Sequence, residues 1–172
     1  MTTTKITLRA IEPEDLDMLY RIENDDELWG VGVTNVPYSR YVLHQFLSET
    51  TSDIYADKQV RLVIENEEHQ LVGLADLMSF DPKNNRAELG LVVMREHRNK
   101  GYARQAVVKM EEYALNTLHL HQIYAVIPVD NESSLKLFRN HGYTITAHLT
   151  DWLYDGVNYH DAVVVQRVLA KM

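Results

Sequence analysis

The stretch from Ala87 to Leu118 constrains this chain most, because a strand, a basic loop and a long helix follow one another there without a spacer. "AELGLVV" reads as a strand and "MREHRNKG" as the loop. From Tyr102 to Leu118 the apolar positions Ala103, Ala106, Val107, Met110, Tyr113, Ala114 and Leu118 recur at threes and fours, the pattern of an amphipathic helix. Such a helix starts at the end of a strand, so its unpaired first-turn N–H groups and the positive end of its dipole face outward. Gly101 allows a ligand close to the backbone, Arg98, Lys100 and Arg104 add charge, and Ala103 leaves room. Together they suit an anion, with pyrophosphate the natural candidate. The plainer alternative is a surface helix whose basic residues oppose the dipole at small cost. The stretch lacks the Gly-Lys-Ser/Thr ending of a Walker loop and the GxGxxG dinucleotide pattern, so nucleotide hydrolysis and hydride transfer find no support in it.

Around this unit the elements form a mixed order. "KITLRAI" alternates like a strand, and Pro13 opens a helix carrying Leu16, Leu19 and Tyr20. Ser39 caps a second helix with Val42, Leu43, Phe46 and Leu47 on its apolar side. "VRLVIE", "LVGLADLMSF" and "AELGLVV", separated by the turn sequences "NEEH" and "DPKNN", read as an antiparallel meander. "QIYAVI" is a buried-strand candidate, "ESSLKLFRNHG" a helix ended by Gly142, and "YTITAHL" a further strand. The end, "WLYDGVNYHDAVVVQRVL", is a hairpin with an Asp155-Gly156 turn. About seven strands and four helices make an α+β fold, a sheet covered on both faces. With 172 residues and no linker or repeat, residues 1–172 are expected to be a single domain.

The formal net charge of −8 works against phosphate polymers, so no nucleic-acid partner is expected, and a cationic substrate suits the surface. No apolar run has membrane-spanning length and the N-terminus lacks a leader's apolar core, which points to a cytoplasmic protein without a membrane partner. The absence of cysteine excludes a disulfide framework and a thiolate nucleophile. His119 and His121 have no third ligand nearby in sequence, so no metal is expected.

"RNKGYA", Arg98 to Ala103, matches the Q/R-x-x-G-x-G/A signature of the GNAT superfamily of N-acetyltransferases. "AELGLVV" resembles that family's fourth strand and "VIPVDNESSLKLFRNHGY" its fifth strand, following loop and helix, so the resemblance extends over essentially the whole chain. "ITLRAIEPEDLDML" and "DNESSLKLFRNHGY" look most like the branch of bacterial spermidine/diamine and ribosomal-protein N-terminal acetyltransferases. The resemblance implies a GNAT fold with a mixed, mostly antiparallel sheet. It also implies acetyl-CoA as co-substrate, with the pyrophosphate held over Arg98, Asn99, Lys100, Gly101, Tyr102, Ala103 and Arg104. It places Leu91, Val92, Val93 and Met94 beside the pantetheine arm. Asn131 and Ser133 are implied to bond the pantetheine or phosphate portions, with Lys136, Phe138 and Arg139 further along the same helix.

The implied reaction is direct acetyl transfer to a primary amine, most simply a small polyamine or diamine such as spermidine. A protein N-terminus of the ribosomal-protein type is the rival acceptor, and a non-catalytic acyl-CoA-binding sensor the alternative from another class. An alkyl ammonium has a pKa of about 10.4, so a base must remove its proton at neutral pH. Glu88, at the start of the fourth strand, is the candidate for that base and for orienting the amine. Glu27, Trp29 and Tyr38 in "NDDELWGVGVTNVPY", with Asp76, are the candidate substrate contacts, an acidic and aromatic mixture able to hold a cation. The family pattern departs at one place. Many relatives read L-Y-x-x-x-G-F, with the tyrosine hydroxyl able to protonate the departing thiolate, whereas this chain has Phe138 there, which has no proton to give. The resemblance further implies a homodimer or higher homo-oligomer built through the final strands.

Overall fold

The computed structural model describes residues 5–29 and 36–169. β1 (Ile6–Ala10) leads through a 3-10 turn at Pro13–Asp15 into α1 (Leu16–Glu23), and the short α2 (Asp26–Trp29) follows. Arg9 fastens this entry by donating to both oxygens of Asp15 at 2.7 and 2.9 Å and to Glu65 across the sheet. Ser39 caps α3 (Arg40–Glu49) as its sequence predicts, its Oγ accepting the Val42 N–H at 3.1 Å. A single turn, α4 (Ile54–Asp57), precedes β2 (Val60–Asn66), β3 (Leu71–Asp81) and β4 (Arg86–Val93), the expected meander. A 3-10 turn at Arg95–His97 then leads to α5 (Tyr102–Asn116), β5 (Gln122–Pro128), α6 (Glu132–Asn140), β6 (Thr144–Tyr154) and β7 (Tyr159–Val168).

The seven strands form one sheet in the order β1-β2-β3-β4-β5-β7-β6, antiparallel except for β4 and β5. The four longer helices are those expected, and α2 and α4 add single turns. "YTITAHL" and "WLY" are not separate strands: β6 runs through both, bulging between Leu149 and Leu153, where Asp151 has a φ of 51°. The bulge absorbs the residues that break the alternation, and the sequence alone reads that break as a strand end.

Strand alternation sends two sets of side chains to opposite faces. Ile64, Ala75, Leu77, Ala87, Leu89, Ile123 and Ala125 share one core with Ala106, Val107, Met110 and Ala114 of α5 and with Phe138 of α6. The small alanines on sheet and helix let α5 approach closely, and the burial of the larger chains stabilises by about 1.5–3 kcal/mol each. A smaller core on the other face joins Leu19 and Ile22 of α1 and Leu43 of α3 to Val63, Leu71, Leu74 and Met94. Gly73 is required where the β3 and β4 backbones draw together, since a Cβ there would lie 2.1 Å from the Val92 carbonyl oxygen. No helix among the described residues is long and apolar enough to cross a membrane.

Candidate active site

β4 and β5 pair in parallel only from Arg86–Gln122 to Glu88–Tyr124, yet β4 continues to Val93 and β5 to Pro128. Beyond Glu88 the two strands therefore part, leaving backbone groups of Leu91, Val92 and Val93 on that side without a strand partner. β3 still holds these residues on the other side, through Ala75, Leu74 and Gly73. An opening between two adjacent strands of one sheet accepts an extended chain that offers its own amides, as a pantetheine arm does.

The open end of β4 leads to the start of α5. Gly101, with φ 85° and ψ 3°, is the residue before the helix, and Asn99 also has a positive φ of 60°. No side chain caps α5 and no acidic residue lies in its first turn, so the amides of Tyr102, Ala103 and Arg104 have no intrahelical acceptor and face no carboxylate on that turn. A phosphate group fits such an end without desolvating a competing anion. Arg98 turns back and donates from Nε to the Val93 carbonyl at 3.1 Å, which ties the loop to the splayed strand end. Arg104 and Lys100 are exposed, and Tyr102 is half-buried, its ring beside His97. The residues implied for the acetyl-CoA phosphates thus lie on one continuous loop and turn, and the donor set fits an anionic ligand.

The α6 positions divide. Asn131 caps the helix by accepting the Ser134 N–H at 3.1 Å through its side-chain oxygen, which leaves its NH₂ for a ligand. Ser133 and Lys136 are exposed. Arg139 borders a surface depression with Tyr143, Ile145 and Val165. Phe138 is a core residue at 5% exposure, edge-on to Tyr143 at 4.9 Å between ring centroids. Met94 is likewise buried, in the smaller core.

On the α1 face, Glu88 stands at the last paired position before the strands part. Its carboxylate faces the Val126 N–H of β5, beyond the last parallel pair. Burial pushes the Glu88 carboxyl above the usual glutamate value, and the nearby Val126 N–H only partly opposes it. Arg61 of β2, on the same face, donates from Nε and Nη2 to Asp76 at 2.9 and 3.1 Å and from Nη1 to Glu23 of α1. Burial works against the Arg61 charge, and Asp76 followed by Glu23 more than offsets it. Asp76 is paired with Gly90 in the β3–β4 register, and the missing side chain at Gly90 leaves Asp76 Oδ2 bordering the β4 groove, 3.9 Å from where a Cβ would be. A cavity of about 310 Å³ opens beside Val92 and Val93, between Asn24 and Asp25 at the end of α1 and Arg95 and Arg98 of the loop.

The structure separates the four candidate substrate contacts. Asp76 lies on the Glu88 face but is already engaged by Arg61. Glu27 pairs with Arg95 and reaches Arg98 at 3.9 Å, so it faces the phosphate loop. Tyr38 is pinned at both backbone groups by the Asn24 side chain, at 2.8 and 3.0 Å, and packs against the smaller core. The Trp29 side chain and residues 30–35 lie outside the described residues. Sequence reasoning missed Arg61, Ser79 and Tyr124, although each is a polar or hydroxyl-bearing side chain within an otherwise apolar strand. Among the described residues, no three His, Asp or Glu side chains are grouped to hold a metal ion.

Comparison with known proteins identifies the family and the fold. Residues 5–144 match the model of the acetyltransferase (GNAT) domain. The chain is 25% identical over 158 residues to spermidine N(1)-acetyltransferase of Vibrio cholerae, covering 92% of this chain and 90% of that protein. It is 28% identical over 165 residues to the putative ribosomal N-acetyltransferase YdaF of Bacillus subtilis, covering 92% and 88%. The crystal structure of the Vibrio cholerae spermidine enzyme with CoA and spermine superposes with a TM-score of 0.86 at 25% identity, over 95% of each chain. With the parted β4 and β5, the uncapped α5 and a family match over most of its length, the chain belongs to the GNAT acetyltransferase family.

Proposed function

We propose that the protein transfers an acetyl group from acetyl-CoA directly to a primary amine of a small polyamine or diamine such as spermidine, with Glu88 as the base. The observation that carries this reading is the charge on the acceptor face. Around Glu88, the carboxylates Glu23, Asp76 and Glu88 outnumber the one guanidinium among them, Arg61, a local acidic surplus, while the cavity beside Val92 and Val93 is lined by Arg21, Arg95 and Arg98 with Asp25 and Glu96. A compact polycation matches such a surplus, whereas a peptide N-terminus brings one charge and a backbone that needs a groove. Acetyl-CoA supplies the activated acetyl group. The β4 edge at Leu91–Val93 would hold its pantetheine arm, and Arg98 to Arg104, with Asn131, its polar portions. Glu88, its proton affinity raised by burial, takes the ammonium proton directly or through one water, and the Val126 N–H keeps the carboxylate at the opening.

Self-association and a cytoplasmic setting belong to the same reading. β6 is the sheet's outer edge and carries exposed Ile145, Trp152 and Tyr154, a surface suited to a second copy. A related Vibrio cholerae enzyme has been solved as a dodecamer.

The test is release of free thiol from acetyl-CoA by purified protein, with spermidine, spermine, putrescine and N-terminal peptides offered separately. Turnover with the polyamines and none with the peptides is expected. Acetylation of peptides alone would replace this acceptor assignment with the ribosomal-protein type. Acetyl-CoA binding without thiol release for any amine would leave a sensor.

A further inference from the structure

Glu88 is walled by groups that the family signature does not include. Its partner across the seam is Tyr124 of β5, in the last parallel pair, and its partner on the other side is Met78 of β3. Tyr124 points to the same face as Glu88, because Ile123 and Ala125 on either side of it are buried in the opposite core. Its hydroxyl does not end in solvent. It is directed across β4 towards the side chain of Ser79. β3 bulges there between Met78 and Asp81, where Ser79 takes a φ of 50° and is exposed. The Tyr124 ring therefore lies beside Glu88 on the α1 face, held on β5 by its backbone. On the opening side, the Met78 methyl lies 3.0 Å from where a Gly90 Cβ would be, so that chain covers the next position of the groove.

We propose that Tyr124 is a positioning residue for Glu88, a strap whose ring screens the carboxylate from water on the closed side of the seam and leaves it open only where the strands part. The charged groups around it do not account for the same effect. Arg86 and Asp81 on the closed side are paired with each other at 3.1 Å, and Arg61 on the α1 side is taken by Asp76 and Glu23. Among the described residues no charged neighbour offsets the Glu88 carboxylate, and its raised proton affinity follows from burial. The ring is the bulky group on that side that can supply the burial. The role rests on the assignment of Glu88 as base, but its physical content, a carboxylate kept dry by one ring, is measurable without turnover.

The experiment is a ¹³C carboxyl NMR titration of Glu88 in the full chain without substrates, assigned by loss of the signal in Glu88→Gln, alongside pH profiles of kcat/KM. Tyr124→Ala should move the Glu88 midpoint down towards the ordinary glutamate value, shift the acid limb of the profile the same way, and lower kcat/KM by about tenfold or more. Tyr124→Phe keeps the ring and should keep both the midpoint and most of the rate. An unmoved midpoint in Tyr124→Ala overturns the proposal, even if that variant is less stable. Equal loss of rate in Tyr124→Phe and Tyr124→Ala also overturns it, since the hydroxyl would then be acting in place of the ring. A midpoint that moves as stated while Glu88→Gln retains full turnover supports the strap and removes Glu88 as the base, so the two assignments fail separately.

Discussion

The two faces of the central sheet use the same strands for opposite purposes. On the α5 face, Leu77, Ala87 and Ile123 are fully buried and surrounded by aliphatic carbon. One residue along each strand, Asp76, Glu88 and Tyr124 face α1 and carry charge or a hydroxyl. The difference shows where an acetyltransferase of this shape can locate chemistry without weakening itself. The α5 face bears the larger core, and the α1 face, with its smaller core, has room to keep a local acidic surplus around Glu88.

Two substitutions a few residues apart should separate these faces sharply. Glu88→Gln should lower kcat/KM by about 10²–10⁴-fold, the usual contribution of a positioned base. Leu77→Ala should instead cost about 2–5 kcal/mol of stability, read by denaturant unfolding, with turnover per folded molecule little changed. The stability of Glu88→Gln has a sign of its own. Because burial raises the folded carboxyl above its unfolded value, the native state favours the protonated form, and Glu88 weakens the fold as pH rises through the folded pKa. The glutamine variant should therefore match the parent in Tm at acid pH and exceed it slightly at pH 8, by no more than about 2–4 °C. A lower Tm at pH 8 would mean that the carboxylate is held by more than the Val126 amide.

Arg61 lies between the two behaviours, a charged residue on the chemical face that nonetheless joins α1 to β2 and β3. Arg61→Ala should cost about 2–4 kcal/mol, towards the range for breaking a buried ion pair, because Glu23 and Asp76 are left facing each other. The same variant enlarges the acidic surplus, so added spermidine should raise its Tm more than the parent's. If spermidine stabilises both equally, the acceptor does not bind near Arg61 and the charge on this face has only a structural role.

How far the molecule was legible beforehand follows the same division. Helix and strand identities came through where periodicity is strong, as in α5 and the β2–β4 meander, and Ser39 marks a helix start by its side chain and Gly142 a helix end by its left-handed backbone, both of which act locally. The anion loop is legible for the same reason, being one contiguous stretch. Arg61, Ser79 and Tyr124 were not, since their meaning depends on strands distant in sequence meeting in one register, and a lone polar residue in an apolar strand does not announce its partner. Glu27 shows the converse. It stands in an acidic, aromatic segment that suits an amine, yet it turns to Arg95 and Arg98, because the loop beside α2 is the nearest strong positive charge. The β6 bulge escaped notice because Asp151 takes a left-handed conformation that looks, in sequence, like the end of a strand.

The smallest effect is expected at Phe138, where many relatives carry a tyrosine. The ring belongs to the α5-face core, at 5% exposure and edge-on to Tyr143, so this position packs like the apolar side of the sheet even though the family pattern assigns it to chemistry. Thiols ionise at about 8.5, which makes a departing thiolate tolerable at neutral pH without a dedicated acid, and the newly formed ammonium can return the proton. Phe138→Tyr should accordingly change kcat by less than about twofold at pH 7.5, because a general acid adds rate only when leaving-group protonation limits the reaction. At pH 6 the same comparison becomes more demanding. Protonation of the acceptor then slows attack rather than departure, so the added hydroxyl should help even less. A large gain at either pH would show that thiolate departure limits this enzyme and that the hydrophobic side of the seam also carries chemistry.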